Sequence, residues 1–229
     1  MSAEADILDR LKASGLTVAG AFQPDEDDLA PEGTAMLVLI APDPLRFWEV
    51  FSASPEKADG APDPMDRWSR RVIDSIATAL PTHLDARALF PFGGPPWQPF
   101  LRWAARGEGA ISSPVAMQVS PSRGLWMSYR GALALGDVLD LPAVSMENPC
   151  LGCPAPCLDA CPVSAFAGGA YDVARCVAHV AAEKGKPCRE GCLVRLACPV
   201  GTPPSLAQRS FHMAAFLTAQ GVRSSQSQS

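Results

Sequence analysis

Eight cysteines fall within the stretch from Cys150 to Cys198 of a 229-residue chain, and none precedes Cys150. Four of them sit in CLGCPAPCLDACP, from Cys150 to Pro162, with prolines between them and a Cys-Pro at the end. Thiols packed this densely must be bridged or must hold a metal group. Three assignments compete: disulfides, structural zinc and iron–sulfur clusters. Zinc takes four ligands, usually as two well-separated pairs, so two ions would use all eight thiols. A [4Fe–4S] cluster takes one thiolate per iron, so two clusters also use all eight.

Compartment bears on the choice. The chain opens MSAEADILDR, acidic and polar, without the basic start and apolar run of a signal peptide. Its longest apolar run, Ala35–Ala41, is too short to span a bilayer. The expected location is the cytoplasm, away from any membrane, where thiols stay reduced and disulfides are disfavoured. The formal net charge of −5 argues against a nucleic-acid surface.

Spacing then favours iron–sulfur. Bacterial ferredoxins carry Cys-x2-Cys-x2-Cys-x3-Cys-Pro, in which three cysteines wrap one cluster and the fourth reaches the other. The run here is Cys150-x2-Cys153-x3-Cys157-x3-Cys161-Pro162, one residue longer. The second half departs further, as Cys188-x3-Cys192-x5-Cys198-Pro199. Applying the crossing rule, Cys150, Cys153 and Cys157 join Cys198 on the first cluster. Cys161, Cys176, Cys188 and Cys192 take the second. His179, one turn from Cys176, is a substitute ligand only if a thiol is spare, and eight thiols already suffice.

Composition also changes at the cysteines. Residues 1–145 hold 12 Lys/Arg against 19 Asp/Glu, whereas 146–205 hold five of each. The expected domains are therefore 1–145, 146–205 for two clusters, and 206–229 as a C-terminal helix with a disordered tail. In the first, ADILDRLKASGL has a helical face of Ile7, Leu8 and Leu11 ending at Gly15. LTVAGAF and TAMLVLIAP read as strands around an acidic loop, the second apolar almost throughout. MDRWSRRVIDSIATAL places Trp68, Val72, Ile76 and Leu80 on one helical stripe. Helices mixed with buried strands give an α/β or α+β class. LFPFGGPPWQPF reads as a rigid loop pinned by aromatic burial, with a ligand wall as the alternative. Arg123 and Arg130, in SPSRGLWMSYRGAL, could meet an anion, and His83 stands alone. No phosphate loop, dinucleotide fingerprint or nucleophile elbow occurs, so no catalytic residue is assigned.

CLGCPAPCLDACPVSAF, RCVAHV and CREGCLVRLACPVG together resemble the dicluster module of the epoxyqueuosine reductase and reductive dehalogenase group. ISSPVAMQVSPSRGLWMSYRGALAL is similar to the stretch of epoxyqueuosine reductases that begins Asp-Ser-x-Pro-Val. The resemblance implies a nitroreductase-like α/β (α+β) N-terminal domain and a small, mainly helical ferredoxin-like domain. It also implies cobalamin above the first cluster, although no specific residue here marks that site. Two features depart from the family. Its catalytic acid falls on Ile111, which cannot donate a proton, and its tRNA-binding helical repeats have no counterpart in the sequence. The expected function is electron transfer with a redox partner protein. A corrinoid-dependent reductase and a scaffold with purely structural clusters are the alternatives.

Overall fold

The computed structural model describes residues 2–222. Arg223 and the SSQSQS tail, expected to be disordered, lie outside the described residues. The chain forms two compact units: residues 1–110 with 128–147, and residues 111–127 with 148 onward. The upstream segment 111–127 thus belongs to the cysteine-bearing unit, although the change in composition comes at 146.

In the first unit, Ala3–Ala13 (α1) starts at Ser2, whose hydroxyl accepts from the Ala5 N–H. Ile7 and Leu11 are buried, and Gly15 follows at φ 69°, the left-handed residue that closes many helices. The strands Leu16–Phe22 (β1) and Met36–Pro42 (β2) match the two apolar runs. The helices Phe47–Ser52 (α2), Pro55–Ala58 (α3) and Pro64–Ala79 (α4) come next. The buried stripe of α4 is Met65, Trp68, Ser69, Ile73 and Ile76, with Val72 at its margin. A period of 3.6 drifts off a four-residue step, which moves the stripe to Ile73. Arg87–Leu89 (β3) and Phe100–Glu108 (α5) follow. Two short strands of the other unit, Ile111–Ser112 (β4) and Gln118–Val119 (β5), precede Gly131–Leu135 (β6).

The sheet has the order β1-β2-β6-β3 and is antiparallel at each pairing. Its two central strands are apolar on both faces because helices cover them, and every residue of β6 is buried. The fold of this unit is therefore of the mixed α+β kind. Helix α5 lies backbone to backbone on β1: a Cβ at Gly20 would sit 2.0 Å from the Gly107 carbonyl oxygen.

The acidic loop between β1 and β2 is ordered by that same helix. Asp25 and Asp28 form a capping box around one 3-10 turn. Asp28 is fully buried, accepts from Arg102 Nε at 2.9 Å and pairs with Arg106. Around LFPFGGPPWQPF, Phe90 and Phe92 pack 5.2 Å apart with the Arg70 guanidinium over both rings. Trp97 points outward, 64% exposed. That is a pinned loop. Arg130 is mostly buried beside Asp66 at 3.6 Å, and burial holds its pKa below the usual arginine value. His83 is exposed.

The second unit is built from short pieces. Helices Val173–Ala181 (α6), Lys186–Arg189 (α7), Leu193–Leu196 (α8) and Leu206–Ala219 (α9) alternate with turns. The hairpin β4–β5 joins them from upstream. No helix among the described residues is long and apolar enough to cross a membrane.

Candidate metal centre

The cysteines occupy tight loops because proline and left-handed residues punctuate the chain between them. Ala155 at φ 51° and Pro156 set up the 3-10 turn that carries Cys157, while Ser164 at φ 51° follows Cys161. Asp172 caps α6, accepting from the Arg175 N–H, and so fixes the helix that carries Cys176. Cys188 sits in α7 and Cys192 immediately precedes α8.

The eight thiols are all free and separate into two sets. Cys150, Cys153, Cys157 and Cys198 line one cavity, together with Ser113, Pro114, Val119 and Leu125. Cys161, Cys176, Cys188 and Cys192 line a second, together with His179, Val180 and Val194. The electrostatics divide in the same way. Burial raises the Cys150 and Cys157 thiols above their ordinary pKa, with Cys153 and Cys198 adding to both and Cys150 adding to Cys157. Burial likewise raises Cys176 and Cys188, with Cys161 and Cys192 adding to it. Thiols raised in this way stay protonated at neutral pH until a metal displaces the proton.

Each cavity is also lined by one residue whose buried polar side-chain atom has no partner. In the first it is Oγ of Ser113, a residue 8% exposed. In the second it is Nδ1 of His179, also 8% exposed. Buried polar atoms are normally hydrogen-bonded, so an unpartnered one beside each thiol quartet is a departure from the ordinary pattern. From the sequence alone His179 is a substitute ligand only if a thiol is spare. Ser113 carried no sequence signal, because it lies far upstream of the cysteines.

Among the described residues no three His, Cys, Asp or Glu side chains form a group that could hold a metal ion. The second quartet has further donors. Ala165 N–H lies 3.2 Å from Cys161 Sγ, and the Tyr171 hydroxyl bonds to Cys176. Burial first, then that bond, pushes the Tyr171 pKa up, so the phenol remains a donor.

Around the first quartet, Val115, Val119, Leu125, Cys157 and Val194 form an apolar cluster. Ile111 packs against it.

No protein-family model matches the chain, and no curated protein matches it. Solved structures do. The chain is similar to epoxyqueuosine reductases. That of Streptococcus thermophilus is 18% identical with a TM-score of 0.49, over 90% of this chain and 69% of that one. An epoxyqueuosine reductase with an epoxyqueuosine-modified tRNA stem loop is 18% identical with a TM-score of 0.48, over 93% and 68%. That of Bacillus subtilis, with its catalytic loop swung out of the active site, is 17% identical with a TM-score of 0.46, over 91% and 66%.

Proposed function

We propose that the cysteine-bearing unit holds two [4Fe–4S] clusters, one in each quartet, and that the protein passes single electrons to or from a redox partner protein. The observation that carries this reading is the division of eight thiols into two cavities, each with four thiols and one orphaned polar atom. When bound, such clusters supply reversible one-electron chemistry. The chain's own residues do the rest. Four thiolates anchor each group, and the apolar walls exclude water. Ser113 Oγ and His179 Nδ1 each offer a hydrogen bond to a sulfur, which favours the electron-rich state.

Electron transfer is preferred to substrate reduction because Ile111 occupies the place of the acid in the family the sequence resembles. An isoleucine in an apolar wall delivers no proton. The test is an anaerobic reductive titration of the reconstituted protein. About two electrons per chain should be taken up and returned to oxidised cytochrome c, an acceptor of high potential, one for each cluster. Uptake of none, or uptake that is not returned, contradicts the proposal.

A further inference from the structure

The largest of these cavities is neither thiol-ringed site. Its volume is about 300 Å³, against about 20 and 30 Å³ for the two quartets, and it lies within the second unit. That is the size of sites that hold small molecules. Its walls include Trp126, Phe166, Tyr171 and Phe216, and Cys176 and Cys192 of the second quartet also line it. Phe166 and Tyr171 stack face to face, with ring centroids 4.7 Å apart and planes within 6°.

The polar groups there have one sign. Arg195 and Arg209 line the cavity, and no carboxylate does. Arg209 is held in place by the carbonyls of Glu190 and Pro204. Arg195 is different. Its guanidinium lies 5.8 Å over the Trp126 ring and has no carboxylate or hydrogen-bond acceptor among the described residues. A half-buried cation with no acceptor calls for a group that carries negative charge. Stacked aromatic walls call for a flat ring.

We propose that this cavity binds a flat, aromatic, anionic small molecule of about flavin size. Its ring packs against the aromatic walls and its acid group meets Arg195. A ligand there touches two residues of the second quartet, yet its binding does not depend on what the quartets hold.

The probes are flavin mononucleotide and riboflavin, which share one ring and differ by a phosphate. Both are titrated anaerobically into reconstituted protein and followed by flavin fluorescence, with iron and zinc measured on the same samples. Flavin mononucleotide should bind saturably and about tenfold more tightly than riboflavin, the worth of one charge-assisted contact. Arg195→Gln should abolish that preference while leaving riboflavin binding unchanged. In the unmodified protein, added salt should narrow the preference. The proposal is overturned if flavin mononucleotide does not saturate, or if the two probes bind alike to the unmodified protein. A preference that survives Arg195→Gln overturns it too. A wrong metal content alongside intact flavin binding would count against the clusters and leave this site standing.

Discussion

Gly124 lies directly against Cys198: a Cβ on Gly124 would come 3.0 Å from the Cys198 sulfur and 2.1 Å from the Val200 carbonyl oxygen. Its φ is +56°, a region costly for residues with a side chain. The turn at 120–124, closed by paired backbone bonds between Ser120 and Gly124, thereby sets where the last cysteine stands. Gly124→Ala should cost about 1–2 kcal/mol in conformation alone. The clash with backbone should also displace Cys198. Iron bound at the first quartet should fall while the second quartet keeps its own. Full iron content and an unchanged Tm would contradict this.

His179 and Ser113 provide a paired test of the two cavities. Removing a donor to a cluster's sulfurs lowers its reduction potential. His179→Leu should shift the more negative or more positive of two EPR-monitored potentials downward, and Ser113→Ala should shift the other one downward. If both substitutions move the same signal, the two orphaned atoms do not serve separate sites.

Asp28 anchors the first unit. Its carboxylate has no exposure, while Arg102 and Arg106 remain partly hydrated at 43% and 32% exposure. Breaking a buried pair is costly, but these arginines can turn to water when released. Asp28→Asn should therefore lower unfolding free energy by about 2 kcal/mol in urea titrations. A loss under about 0.5 kcal/mol, the scale of ordinary surface changes, would show that the pair adds little.

Glu56 gives a pH dependence of known sign. The Arg71 guanidinium hydrogen-bonds it, at 3.0 Å from Nη2, and holds its carboxyl below the ordinary value of 4.5. The folded state therefore binds this proton less readily than the unfolded chain does. The stabilisation is complete above about pH 4.5 and is lost as pH falls through the lower, folded value. Thermal scans from pH 6 to pH 3 should show a shallower acid decline for Glu56→Gln than for the parent. Parallel declines would remove Glu56 from the account.

Much of this was legible in the sequence for local reasons. Strands β1 and β2 announced themselves by apolar runs, and α4 by its periodicity. The crossing rule groups the cysteines into the same quartets that line the two cavities, because ligand loops are short and their spacing limits which thiols can meet. What stayed hidden depends on distant segments. Ser113 reaches the first cavity through the β4–β5 hairpin, and Trp126 meets Arg195 only once the chain has folded. The acidic loop gave no hint that Asp28 would be buried, since its partners lie on α5, more than seventy residues away. The sheet's antiparallel order was equally unreadable, because runs apolar on both faces occur in either kind of sheet.

The central claim is two clusters with crossed ligands. The most direct measurement is iron and sulfide content with EPR of the anaerobically reconstituted parent, Cys153→Ala, Cys198→Ala and Cys176→Ala. The parent should carry about eight irons and eight sulfides. Cys153→Ala and Cys198→Ala should damage one and the same signal, and Cys176→Ala the other. Zinc in place of iron, about four irons in the parent, or a common signal lost in Cys198→Ala and Cys176→Ala would contradict it.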